Sequence, residues 1–175
     1  MMSFVLFGSI ILTHSAGGAE NIDPDDDGSQ RAYGENVGWV NFEPNQGGGV
    51  TVSDTKLVGY VWAENIGWIN LNPANFGGVI NDGDGNLSGY AWGENVGWVN
   101  FNPTGSRVTI DYKGNFGGYA WGENIGWIHF SGTAKDSTSY KVKTAWLSTP
   151  PGGDPPRSSG GGGGGCFISI FRAPF

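Results

Sequence analysis

Oxygen-bearing side chains recur along this chain in two patterns that can do chemistry. Asp23, Asp25 and Asp27 alternate and are followed by Gly28. That is the arrangement of a calcium loop, which needs hard oxygen ligands at alternate positions and a glycine for the sharp turn. Asp82, Asp84 and Asn86 repeat the alternation without the glycine at the sixth place. The second pattern is a Glu-Asn pair, written at Glu35, Glu64, Glu94 and Glu123. Asp23 precedes Glu35, and Asp82 precedes Glu94, by the same twelve residues. Asp23, Asp25, Asp27 and Glu35 are therefore candidate calcium ligands, and so are Asp82, Asp84, Asn86 and Glu94. An EF-hand would put its last Glu eleven residues after the first ligand and flank the loop with helices, so the pattern is not an EF-hand. Lys113 in one related loop and Ser53-Asp54-Thr55-Lys56 in another spoil the pattern for a cation. Solvated Asp/Asn/Gly turns account for the same residues without metal.

Carbohydrate is the second ligand class these residues suit. Trp62, Trp92 and Trp121 each stand two residues before Glu64, Glu94 and Glu123. Aromatic faces beside Asn and acidic groups stack on sugar rings and bond their hydroxyls, and repetition supplies avidity. This reading requires the indoles to be exposed. Catalysis has less support, because a glycosidase needs one particular pair of carboxylates and the acids here recur with the repeat. His129 replaces the Asn found at positions 41, 70 and 100 and reads as an ordinary variant, while His14 lies in the leader. Asn41, Asn70 and Asn100 read as partners of backbone groups. No catalytic residue is assigned, and a glycoside hydrolase remains a minor alternative.

The elements that carry these residues are four near-copies of one phrase, beginning at Arg31, Tyr60, Tyr90 and Tyr119, with Trp39, Trp68, Trp98 and Trp127 at intervals of 29, 30 and 29 residues. Such a period marks an array of supersecondary units. Short Val/Ile/Tyr/Trp runs between Asp/Asn/Gly turns predict three short antiparallel strands per unit. With Gly93–Asn95 as the hairpin loop, Tyr90, Trp92 and Trp98 share one face, and Gly89, Ala91 and Gly97 form a thin strip on the other. Burial of indole rings contributes about 25 cal/mol per Å², so the tryptophans are expected in the core. The first unit lacks the Val-x-Val strand that precedes the others, and Tyr140–Trp146 supplies an alternating strand with no repeat after it. Pairing of these two ends predicts a closed barrel or toroid; an open β-sandwich or solenoid is the alternative.

The bulk composition bounds the function. The 175 residues include 33 glycines, and the net charge is −7 with nine Lys and Arg. Helix is disfavoured, and no basic patch is available for nucleic acid or anionic lipid. Residues 1–19 read as a signal peptide, with the apolar run Met1–Leu12 and small residues Gly17-Gly-Ala19. Residues 20–148 form the repeat domain, 149–165 a Pro/Gly/Ser-rich linker, and 166–175 a terminal tip that opens with Cys166, the single cysteine. The repeats, GYAW-x-EN-[IV]-GW-[IV]-N in form, resemble those of bacterial surface and secreted proteins to which no activity is assigned. Six glycines followed by Cys166-Phe-Ile resemble the CFI-box type of C-terminal segment, although Ser-Ile-Phe-Arg-Ala-Pro-Phe stands where small residues are usual. The resemblance implies export to the cell surface or beyond, with processing or attachment at Cys166 and membrane contact only through that attachment. The sequence thus predicts an exported, non-catalytic protein with a structural or adhesive role towards glycan or other surface proteins, or a lectin-like module.

Overall fold

The computed structural model describes residues 20–75 and 77–150, all in strands, turns and irregular segments. The expected leader, all but the start of the linker, and the Cys166 tip lie outside the described residues. In the first unit β1 (Arg31–Gly34) and β2 (Gly38–Asn41) form a hairpin. The second unit contains β3 (Val50–Val52), β4 (Leu57–Ala63) and β5 (Gly67–Asn70), and the third β6 (Val79–Asn81), β7 (Leu87–Gly93) and β8 (Gly97–Asn100). The fourth has β9 (Thr109–Ile110), β10 (Phe116–Gly117), β11 (Tyr119–Gly122) and β12 (Gly126–His129). A further hairpin comes next, β13 (Ser131–Thr133) and β14 (Ser139–Lys141).

The four unit hairpins pair side by side, and β1 pairs with β12, so eight antiparallel strands in the order β1-β2-β4-β5-β7-β8-β11-β12 close into a barrel. This is the closed form of the two topologies expected. Each hairpin turns one residue later than the sequence suggests: Gly93 pairs with Gly97, Trp92 with Trp98 and Ala91 with Val99. The physical reason is at the tip. Val96 donates its N–H to Gly93 O at 3.2 Å and folds its side chain inward, leaving only 2.7 Å between its Cγ2 and a Cβ built on Gly93. Gly97 then adopts φ +72°, a left-handed angle that glycine takes at little cost.

Closure also decides which face is the core, and here the expectation of buried tryptophans is corrected. The interior of an eight-stranded barrel is only wide enough to be filled by side chains of modest size. The strip read as thin fills it: Ala32, Val61, Ala91 and Ala120 alternate around the wall with Val40, Ile69, Val99 and Ile128, all buried. Towards the far end a layer of larger side chains, Phe42, Leu71, Phe101 and Phe130, caps them, and Phe116 stacks on Phe130 at 5.8 Å. The same alternation turns the indoles outward.

A second ring of shorter strands continues below the barrel. β3 lies on β4, β6 on β7 and β9 on β10, and single bridges Lys56↔Ile80 and Asn86↔Thr109 join neighbouring units. The two ends of the domain complete this ring as expected. Ile22 bridges Thr144, Gln30 bridges Val142 and Asn115 bridges Lys143. Val142 donates to Phe130 O at 3.0 Å, as Val79 does to Leu71 O and Val108 to Phe101 O at 2.8 and 2.9 Å. The terminal segment thus takes the place of the strand that the first unit lacks.

Candidate functional site

Side chains on the outer wall come from period-2 strands whose inward partners are Ala, Val and Ile. The result is a belt of rings around the barrel: Trp62 beside Trp68 at 5.0 Å, Trp121 beside Trp127 at 4.7 Å, and Trp92 in register with Trp98. These six indoles are each 38–41% exposed. With aromatic side chains offering some 150–250 Å², each leaves on the order of 100 Å² in water. Each pair thus leaves roughly 200 Å² of ring surface in water. Tyr60, Tyr90 and Tyr119 extend the belt and are exposed too.

Polar groups are set into the belt at the seams between units. In register across each seam stand Asn41 and Trp62, Asn70 and Trp92, and Asn100 and Trp121. The Asn side-chain oxygens accept the N–H groups of Glu43, Asn72 and Asn102 at 2.8–2.9 Å. That fixes each carboxamide, and the NH₂ group of Asn70 lies 3.4 Å from the Tyr60 hydroxyl. The seam between the second and third units is a groove of about 500 Å³ lined by Tyr60, Trp68, Asn70, Trp92, Glu94 and Asn95. Another of about 360 Å³ lies between Asn41, Trp62, Trp68 and the loop Pro44–Gln46.

The Glu-Asn turns sit at the hairpin tips along one rim, where the two residues divide their roles. Asn95 Nδ2 donates to Ile66 O at 2.9 Å, Asn124 Nδ2 to Val96 O at 3.2 Å, and Asn36 Nδ2 to Ile125 O at 3.1 Å. Each Asn thereby ties its tip to that of the neighbouring unit, and the last of the three crosses the join between the fourth unit and the first. Glu64, Glu94 and Glu123 stand exposed at the rim of the belt, beside Trp62, Trp92 and Trp121. The residues expected for a glycan site are thus on one continuous surface.

The eight residues expected as calcium ligands do not converge. β7, seven residues and more than 20 Å long at about 3.3 Å per residue, separates Asp82, Asp84 and Asn86 from Glu94. β1 likewise separates Asp23, Asp25 and Asp27 from Glu35. Within the loops the carboxylates of Asp23, Asp25, Asp27 and Asp82 are already engaged. Asp82 Oδ1 accepts the N–H groups of Asp84 and Asn86, and Asp82 Oδ2 accepts Asn86 Nδ2. Asp23 accepts the N–H groups of Asp27 and Gly28 and the hydroxyl of Ser29. Asp25 pairs with Lys143, and Asp27 with Lys141 at 3.2 Å. Among the described residues no group of three or more His, Cys, Asp and Glu side chains is placed to hold a metal ion.

Hydrogen bonds from Ser29, then the Lys141 ammonium, bring the Asp27 carboxyl down to about 2. Burial pushes Asp82 and Asp111 up, but bonds from Asn86 and Asn115 outweigh it and both end below the usual carboxylate range. His129 packs edge-on against Tyr119 at 4.2 Å, and burial lowers its pKa against the opposing pull of Glu35.

Sequence reasoning missed Trp68, Trp98 and Trp127 as members of the surface. Their signal was present in the alternation of Gly-Trp-Val-Asn, where Val and Trp must face opposite sides. No protein-family model, curated protein or solved structure matches this chain.

Proposed function

We propose that this protein is an exported, non-catalytic adhesive module that binds neutral carbohydrate through its outer aromatic belt. The observation that carries the reading is the exposure of the paired indoles at seams that also present a fixed carboxamide and a glutamate. Leaving an indole some 100 Å² exposed forgoes about 2.5 kcal/mol of burial at 25 cal/mol per Å². That loss recurs at each of the three pairs, which a purely structural repeat has no reason to maintain. A sugar ring complements the surface, since its C–H face covers an indole while its hydroxyls meet the Asn NH₂ group and the Glu carboxylate. The net charge of −7 and the rim glutamates select against phosphate, sulfate and uronic acid groups.

The test is affinity electrophoresis of the purified protein in gels cast with soluble neutral glucans, xylans or mannans, and with an acidic polysaccharide as control. Retardation by a neutral polymer alone is expected, and Trp92→Ala should weaken it about tenfold, the equivalent of 1.4 kcal/mol. Circular dichroism shows whether the variant keeps the barrel. Equal mobility in every gel would remove the carbohydrate reading.

A further inference from the structure

The fourth seam, where the two ends of the domain meet, departs from the other three at both residues of its in-register pair. Tyr33 stands where Trp62, Trp92 and Trp121 stand, and His129 where Asn41, Asn70 and Asn100 stand. The two remain in register across the seam, as the Asn and Trp residues do elsewhere. The segment after the hairpin differs as well. After the first three units a short loop leads to Val50, Val79 or Val108, and in the first of these loops Gly47 lies against the Trp68 ring. After the fourth unit the hairpin β13–β14 takes that position. Its Tyr140 ring lies on the seam, 5.5 Å from Trp39 in an edge-to-face contact and 5.9 Å from Tyr33. Lys135 in the same hairpin approaches Glu35 at 3.9 Å. Tyr33 and Trp39 are in consequence half-buried, whereas their counterparts in the other units are exposed.

We infer that the belt holds three saccharide-binding seams, at Asn41/Trp62, Asn70/Trp92 and Asn100/Trp121, and that Tyr140 closes the fourth by lying where a sugar ring would lie. The inference rests on the carbohydrate reading and adds to it a valency, a geometry and a residue that limits both. The Tyr140 side chain has the character the seam selects, an apolar ring with a hydroxyl at its tip. The three open seams succeed one another around the barrel two strands apart, about 10 Å at the usual inter-strand spacing. A linear neutral glycan can therefore engage consecutive seams, and the closed seam ends the track. Avidity makes retention rise with chain length up to the span of three seams and level off beyond it.

The full chain is titrated with linear gluco-, xylo- and chito-oligosaccharides of increasing length, while the aromatic ring resonances are followed by NMR and assigned by single substitutions. With the oligosaccharide that binds, the rings of Trp62, Trp92 and Trp121 should shift and that of Tyr33 should not. In Tyr140→Ala, Tyr33 should join the responding set, while Tyr140→Phe should keep the unaltered pattern. Movement of Tyr33 together with the three indoles in the unaltered protein would overturn the inference without any variant. So would a still Tyr33 in a Tyr140→Ala protein whose three indoles respond normally. If no ring responds to any of these sugars, the carbohydrate reading itself is lost, and the valency with it.

Discussion

Asp27 carries two jobs that the sequence presents as one. Its alternation with Asp23 and Asp25 looks like ligand geometry, yet in the fold its Oδ1 accepts the Ser29 N–H at 3.1 Å and its Oδ2 meets Lys141. Both favour the ionised carboxyl, so its folded pKa of about 2 lies below the ordinary 3.8. A depressed carboxylate stabilises the fold at any pH above its unfolded value, and the contribution disappears as pH falls through the folded value. Asp27→Asn should therefore lower the unfolding midpoint at pH 5 to 7, and the gap between variant and unaltered protein should narrow as pH falls from about 4 towards 2. Thermal unfolding across that range checks it, and a gap that stays constant or widens on acidification would contradict the ion-pair account. His129 adds a loss at higher pH with the same sign. Its pKa is lowered in the fold, so protonation below its usual 6.5 favours the unfolded chain.

At the scale of the hairpin, the Glu-Asn turn solves a problem that a closed ring poses at its rim. Tip carbonyls such as Ile66 O and Val96 O point across to the next hairpin, and the neighbouring Asn supplies each with a donor. Asn95→Ala removes that bond and should cost about 1 kcal/mol, whereas Glu94→Gln, whose side chain is exposed, should leave stability nearly unchanged. Urea unfolding of the two variants distinguishes them, and equal losses would count against the tip-to-tip role of Asn. Much at this scale was legible from residue types alone. Three strands per unit follow from short β-branched and aromatic runs between turn residues. The sharing of one face by Tyr90, Trp92, Trp98 and Asn100 follows from period-2 alternation. The direction of that face was not legible, because hydrophobicity ranks Trp above Ala and a local pattern cannot report barrel width. At the level of Ala91 and Val99 the interior is already filled from every strand, and an indole turned inward there would have to displace its neighbours. The one-residue error at the turn has a similar origin. Val96 reads as the start of a strand, while its side chain is needed as the plug at the tip, next to a glycine that makes space for it. The glutamate of the calcium pattern is lost at a larger distance still, since a twelve-residue spacing on paper becomes opposite ends of a strand once β7 is extended.

Over the whole molecule, the architecture is a ring interrupted once, and its integrity depends on what bridges the interruption. The segment after β14 makes backbone hydrogen bonds to both sides of the gap. Asp23 N–H donates to Lys143 O and Lys143 N–H to Ser29 O, both at 2.8 Å, and Ala145 N–H to Asn21 O at 2.8 Å. On the other side Phe116 N–H donates to Val142 O, and Thr144 N–H to Gly114 O, each at 2.9 Å. Val142 itself is fully buried, which contributes about 1.5–3 kcal/mol. At roughly 0.5–1.5 kcal/mol per bond the segment's contribution approaches the 5–15 kcal/mol total of an ordinary domain. A chain ending at residue 138 should thus lose cooperative thermal unfolding and expose Ile22, β10 and the Phe116 cluster to a hydrophobic dye. Addition of a synthetic peptide covering residues 138–148 should restore the transition in a concentration-dependent way, because the vacated strand position is preformed by its neighbours on either side. Retention of a sharp transition by the shortened chain, with no response to the peptide, would mean that the eight-stranded barrel stands without the second ring. In that case the segment after β14 would serve only to anchor the end of the hairpin that carries Tyr140.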